Sequence, residues 1–469
     1  MTTFVGREEQ LQALATELEQ VRGGEGKPGR ALAIRGRRQV GKSTLVEEFI
    51  GRAGVPSVFY VASRQPAARE LELFGEAIAA SETQAAEIAR SGPLGSWDAA
   101  LALLARDATA ERPLILVIDE LPYLVESEPA IEGTLQKAWD RVLAGAHVLL
   151  ILVGSDLSTM EALGQHGRPL YGRARELVVP PLAPAEVGEL LDLDAPATLD
   201  AYLAIGGFPR LTSLLHRHED IWRFLGRELA DPTSPLVVVG ERSVNAELPA
   251  DLQGRRVLAA IGSGERAYSA IERRSGVERT SLARSLAALR EKRMVLKLTP
   301  YSSRPRARPP RYVVADPYLR FWLRFIGPNL ELIERGRGDL VAERIRASWD
   351  SYRGRAIEPL ARAAIERRLP DPRFGEALFV GGYWTRDGRV EVDLVGGRER
   401  SRSDAIDFVG SIKWRESRPF DRQDLAALVA SRARVPGATE DARLVGVSRS
   451  GFTTSELDVE LGPDDLLAA

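Results

Sequence analysis

Eight consecutive residues carry the strongest chemical signal in this chain: Gly36-Arg37-Arg38-Gln39-Val40-Gly41-Lys42-Ser43, with Thr44 following. Two glycines with four residues between them, then a lysine and a hydroxyl, fit the pattern G-x-x-x-x-G-K-[ST]. The glycines let backbone N–H groups turn inward around phosphate oxygens, and a helix N-terminus adds its positive end. Lys42 is then placed to reach β- and γ-phosphates, and Ser43 to ligate Mg²⁺. The context suits that chemistry, because Ala31–Arg35 reads as a short buried strand and Thr44–Ile50 opens a helix. The expected ligands are ATP and Mg²⁺.

Such a loop needs an acid at the end of a neighbouring strand. Pro113-Leu114-Ile115-Leu116-Val117-Ile118-Asp119-Glu120 supplies one, its apolar run indicating a parallel strand covered on both faces. Asp119 emerges at the carboxyl end, where open α/β sheets place ligands. It is the expected second Mg²⁺ residue, and Glu120 the expected general base for water. The Asp-Glu pair would also serve as a solvated start to the next helix. A further strand, His147–Val153, runs into Gly154-Ser155. Ser155 is placed either to sense the γ-phosphate and water or simply to cap a helix.

The elements that must hold these residues belong to a long chain. Its 469 residues exceed one ordinary core and suggest about three to four domains. Hydrophobic residues make up 44% and the longest apolar runs are strand-sized, which argues against a membrane span. The start Met1–Arg7 shows no basic and apolar leader, and there is no cysteine, so thiolate metal sites and disulfides are excluded and a cytoplasmic location is expected. A net charge of −2 means that nucleic-acid binding must come from local asymmetry. Arginine replaces lysine almost everywhere, and two of the six lysines, Lys42 and Lys413, fall in candidate sites. A GC-rich genome accounts for the bias in general, but a compact ammonium is chemically distinct from a guanidinium.

Beyond Pro232 and Pro235 the pattern changes. Helices are expected at Arg255–Gly262, Ala267–Ser275 and Thr280–Lys292, then strands at Met294–Leu298 and Arg311–Val314 around an Arg- and Pro-rich loop. Helix–turn–helix followed by a hairpin is the order of a winged helix, whose third helix would be the recognition helix. Arg279 and Arg284 lie on that helix, and Arg304, Arg306, Arg308 and Arg311 lie on the would-be wing. These suit DNA phosphates, although such a module also serves as an internal packing unit. Asp316–Phe325 is an aromatic helix start suited to core packing. Toward the end, a helix from Tyr352 through Ile365 precedes strands at Ala377–Gly382, Val390–Val395 and Ala405–Trp414.

The loop, the Asp119 strand and Phe4-Val5-Gly6-Arg7-Glu8 resemble the AAA+ and STAND class of P-loop ATPases, and more closely the archaeal-type ATPase family. The likeness extends through Pro169–Ala174 and Gly206-Gly207-Phe208-Pro209-Arg210. It implies that Arg173 acts on a neighbouring nucleotide in a homo-oligomer and that Arg210, in a helical lid, contacts phosphates. A surface salt bridge is an equal reading of Arg173 in so arginine-rich a chain. The C-terminal part resembles the nuclease-like domain of PD-(D/E)xK type that ends many such ATPases. That resemblance implies a metal site of Glu358, Asp393 and an E-x-K strand, with Gln423 on the next helix. Lys413 matches, but Ser411 stands where an acid is required. Asp407 has the same strand parity, yet six residues at ~3.3 Å put it roughly 20 Å from Lys413.

The reading is therefore α/β: a P-loop parallel sheet (1–180), a helical lid (181–240), a winged helix (241–330) and a degenerate restriction-endonuclease-like domain (331–469). The function expected is an ATP-hydrolysing switch engaging DNA. The alternatives are an ATP-regulated nuclease and a signalling or scaffold ATPase without DNA.

Overall fold

Continuous apolar runs fold as central strands because both faces of a parallel sheet are covered. In a computed structural model describing residues 4–24, 26–248, 250–301, 309–400 and 405–468, this holds for β3 (Leu114–Asp119) and β4 (Val148–Gly154), in which every residue is buried. With β1 (Arg30–Arg35), β2 (Ser57–Val61) and β5 (Arg175–Val178) they form an all-parallel sheet ordered β2-β3-β4-β1-β5. Helix α1 (Glu8–Gly23) precedes β1, and α2 (Lys42–Ala53) follows it. Leu45, Val46 and Phe49 give α2 one buried face, and Gly54 ends it in the left-handed region at φ 61°. These elements lie in a compact unit of residues 1–182.

The second unit, 183–469, is described by itself. It begins with helices, among them α3 (Ala195–Ile205). Next come α4 (Leu252–Gly262), α5 (Tyr268–Ser275) and α6 (Arg279–Glu291), then an antiparallel pair of β6 (Val295–Leu298) with β7 (Arg311–Val314). Gly276 makes the turn after α5 at φ 62°, its N–H donating to the Glu272 carbonyl. Leu282, Leu286 and Leu289 form the buried stripe of α6. The aromatic stretch expected in the core is there: Tyr318, Phe321, Trp322 and Phe325 are buried, and Trp322 Nε1 donates to the Val237 carbonyl at 2.7 Å.

A second sheet, ordered β12-β11-β10-β9-β8, closes the chain. Its strands are β8 (Phe379–Trp384), β9 (Glu391–Gly397), β10 (Ile406–Lys413), β11 (Ala438–Ser448) and β12 (Val459–Leu461). Here β10 and β11 are parallel, whereas β9 runs antiparallel to both β8 and β10.

Three expectations are corrected. The single helix from Tyr352 is two, α7 (Gly338–Ala356) and α8 (Glu358–Arg368), parted at Ile357. Pro359 is the cause, since it lacks an N–H and is tolerated only in a first turn. The first strand of the second sheet starts two residues later than read, after the left-handed turn at Gly375. The strict alternation assumed for Asp407 fails because register shifts between Ile406 and Phe408, a bulge. Among the described residues no helix is long and apolar enough to cross a membrane.

Candidate functional site

The glycine loop leaves the carboxyl end of β1 and is closed from three sides. Gly36 must be glycine, because a Cβ there would sit 2.4 Å from the Val179 carbonyl oxygen. Gln39 (φ 65°) and Gly41 (φ 85°) take left-handed conformations that fold the loop back into α2. Val40 is fully buried, and its carbonyl accepts from Arg7 Nη2 at 2.9 Å. Arg38 reaches outward to the Tyr123 hydroxyl at 2.6 Å, while Arg37 lends its carbonyl to the lysine.

Lys42, the first residue of α2, is buried, and its Nζ donates to the Gly36 and Arg37 carbonyls at 3.0 and 3.1 Å. Burial lowers its pKa, while Glu120 and Asp119 oppose that shift and Arg38 adds to it. Ser43 Oγ donates to Asp119 Oδ2 at 2.6 Å, and the Glu120 N–H donates to Asp119 Oδ1 at 2.8 Å. Glu120 is held at φ 52°, outside the helix that begins at Leu121. Ser155, buried at the end of β4, donates to Glu120 Oε2 at 2.9 Å. Thr44 lies exposed on the first turn of α2.

One cluster thus brings together Lys42, Ser43, Asp119, Glu120 and Ser155 from three strand ends. A hydroxyl and a carboxylate oxygen in direct contact are hard donors within reach of one ion, so they fit Mg²⁺. Ser155 does not cap the next helix; Asp156 does, accepting from the Thr159 N–H at 2.9 Å. Arg173 makes a two-pronged pair with Asp140 at 2.9 and 2.8 Å and also donates to the Pro169 carbonyl. Arg210 is exposed on the short helix Pro209–Thr212 of the second unit. The role of Arg7 is not marked by the Phe4–Glu8 stretch, and its position just before α1 is the only local signal of it.

The C-terminal constellation is arranged differently. Asp393 Oδ2 accepts from the Ile412 N–H at 2.8 Å and from Ser411 Oγ at 3.2 Å. Burial raises its pKa, opposed by the Ile412 N–H and reinforced by Glu358, with Lys413 and Arg362 lowering it. Glu358, the first residue of α8, is paired with Arg266 at 3.4 Å and Arg362 at 3.3 Å. Arg362 Nε also donates to the Asp393 carbonyl at 2.9 Å. Lys413 Nζ lies 3.9 Å from Asp424 Oδ1, and the Gln423 amide accepts from Arg418 at 3.2 Å. Among the described residues no group of three metal-type side chains converges. With Ser411 in place of an acid and Glu358 already matched by two guanidiniums, these residues do not fit a metal pair. The Glu358–Arg362 pair was legible as an i, i+4 spacing, whereas Arg266 carried no local signal.

Of the expected DNA contacts, Arg279 and Arg284 are exposed on α6. Arg304, Arg306 and Arg308 lie outside the described residues. Arg311 is not available as a wing cation: it pairs with Glu391, Nη2 to Oε2 at 3.1 Å, and stacks 4.6 Å from the Trp384 ring centroid.

Comparison with known proteins agrees with part of this reading. Residues 4–213 match the model of an ATPase domain found predominantly in Archaea, and residues 322–425 match a family of archaeal and bacterial proteins of unknown function. An uncharacterized protein of Methanocaldococcus jannaschii is 25% identical over 422 residues, 89% of each chain. Among solved structures, a Walker-type ATPase of Pyrococcus abyssi is 20% identical, with 68% of this chain and 96% of that one covered and a TM-score of 0.49. The ORC2 protein of Aeropyrum pernix, in its ADPNP–ADP complexes, is 14% identical over 73% of this chain and 95% of that one, with a TM-score of 0.45.

Proposed function

We propose that this protein is an ATP-binding and ATP-hydrolysing switch. The observation that carries the reading is the convergence of Lys42, Ser43, Asp119, Glu120 and Ser155 at the carboxyl end of one parallel sheet. The match of residues 4–213 to an archaeal ATPase domain supports it independently. The backbone of Gly36–Ser43 and the Lys42 ammonium cradle the phosphates, with Thr44 beside them at the helix start. Ser43 and Asp119 hold Mg²⁺, which supplies charge neutralisation at the phosphates. Glu120 accepts the proton of the attacking water, and the Ser155 hydroxyl fixes the rotamer of that carboxylate. Arg210 is the lid arginine and Arg173 the residue offered to a second copy, once released from Asp140.

DNA is the proposed partner, bound through α6 with Arg279 and Arg284 on a winged-helix module, and the C-terminal domain is a nuclease relative with weak or absent cutting activity. One set of contacts favours a second role for that module, as an internal packing unit of a scaffold ATPase. The hairpin is tied to the C-terminal sheet by Arg311–Glu391, by Tyr301 N–H to the Gly382 carbonyl at 2.8 Å and by Trp384 Nε1 to the Pro309 carbonyl at 3.1 Å.

The test is ATP turnover and DNA binding by the full chain with Mg²⁺, across a salt series, beside Lys42→Ala. Turnover lost with Lys42, together with ATP-dependent and salt-sensitive DNA binding, is the expected result. Turnover without any DNA binding would transfer the module to the scaffold role. No turnover by the wild-type chain would sink the switch itself.

A further inference from the structure

The second unit contains a cavity of about 300 Å³ that none of the preceding chemistry uses. Its walls come from the end of α4, from β7, from the helix opened by Pro317 and from the α7–α8 junction. Four arginines line it, Arg266, Arg320, Arg324 and Arg355, against two acids, Glu265 and Glu358.

The balance of these charges suits an anionic ligand. Both oxygens of Glu358 are already shared between Arg266 and Arg362. Arg320 donates only to carbonyls, to Val314 at 3.2 and 2.8 Å and to Ala356 at 3.0 Å, and among the described residues no carboxylate pairs with it. Burial drives its pKa down and Arg266 adds to that shift, against the opposing influence of Tyr352, Asp316 and Glu358. The exposed Arg355 guanidinium has no hydrogen-bond partner among the described residues, and Arg324 donates to the Ser263 carbonyl. Arg324 and Arg355 are exposed at the mouth while Arg320 lies deeper with carbonyls as its direct partners, and planar guanidinium forks recognise phosphate oxygens in pairs.

Two aromatic residues, Tyr312 and Tyr352, complete the lining. A concave site of this size suits a small molecule held by a few polar groups, and Tyr352 is itself held in place by Phe321, Phe325 and Trp349. A duplex needs a far larger contact area.

We propose that this cavity binds a small phosphate-bearing ligand of the mononucleotide class, its phosphate held by Arg320, Arg324 and Arg355 and its ring against the tyrosines. The site is separate from the glycine loop and stands whether or not that loop hydrolyses ATP. An occupant would bridge the helix–hairpin module and the α7–α8 junction, and so couple ligand supply to the arrangement of the second unit.

Calorimetric titration of the full-length Lys42→Ala chain tests this, because that substitution removes the phosphate lysine of the loop. The probes are AMP, pyrophosphate and a single-stranded oligothymidylate. AMP and pyrophosphate are expected to bind at one site below 1 mM, roughly the lower bound of useful affinity. Adding Arg355→Gln should weaken both at least tenfold, and adding Arg324→Gln should do the same, with circular dichroism and melting confirming an intact fold. No binding of either small probe, binding that both arginine variants leave unchanged, or binding of the oligonucleotide alone would each overturn the proposal.

Discussion

Two aspartates in this molecule each accept a hydrogen bond from a serine hydroxyl, and the surroundings give them opposite fates. Asp119 takes Ser43 at 2.6 Å, and the cations near it are a buried lysine turned onto loop carbonyls and an outward arginine. Asp393 takes Ser411 at 3.2 Å, but its neighbour Glu358 is neutralised by Arg266 and Arg362. On the proposed reading, the first site leaves its carboxylates for a cation from solution. The second matches its own negative charge with guanidiniums the chain supplies. A polar cluster at a strand end is thus not enough to imply a metal; what decides is whether its acids already have fixed partners.

The sharpest way to break that contrast is to remove from the first site the groups proposed to be catalytic. Lys42→Ala and Glu120→Gln should each lower ATP turnover at least about a hundredfold, and Glu120→Gln should retain nucleotide binding. Steady-state hydrolysis and equilibrium binding check this, and a Glu120→Gln enzyme with normal turnover would remove the base from its role. Next in size is Glu358→Ala, which leaves two arginines facing each other without their acid. It should destabilise the second unit by about 3 kcal/mol in denaturant unfolding, whereas Asp119→Asn should change stability by under about 1 kcal/mol. If the two substitutions cost the same, the distinction between an open and a self-matched site fails.

A smaller effect concerns pH. The pKa of Asp393 is raised in the folded protein, so the native state holds its proton more tightly than the unfolded chain. Stability therefore falls as pH rises from the ordinary aspartate range through that raised value. Asp393→Asn lacks this penalty, so it should melt higher than wild type near neutral pH, with the gap closing in acid. A gap that is flat with pH would show that the carboxylate is not desolvated. The smallest change is expected for Arg173→Ala, because its pairing with Asp140 is partly exposed and worth about 0–1 kcal/mol. Any large loss of turnover from this variant would therefore report a role beyond the salt bridge, most directly at a neighbouring copy's nucleotide.

Legibility in the sequence followed distance along the chain. The glycine loop, the buried strands β3 and β4 and the emergence of Asp119 are local patterns, and each is visible in a window of a few residues. Ser155 was equally local, but its choice between capping and contacting Glu120 depended on Asp156 taking the cap. The charge partners were hidden for the same physical reason. Arg266 meets Glu358 across 92 positions and Arg311 meets Glu391 across 80, and no periodicity encodes such pairings. The bulge between Ile406 and Phe408 interrupts the alternation beside Asp407, and it adds one residue to a strand without a mark in composition.

Arg7 carries a practical consequence. Its side chain, buried before α1, holds the Val40 carbonyl at the crest of the phosphate loop from 33 residues away. A shortened version of the domain, cut to begin at β1, would keep every motif residue and still lose the strut that holds the loop from outside. Any shortened version meant to keep the loop's shape therefore has to start no later than Arg7, and an expression clone trimmed to its recognisable motif should express a loop that is intact in spelling and slack in shape.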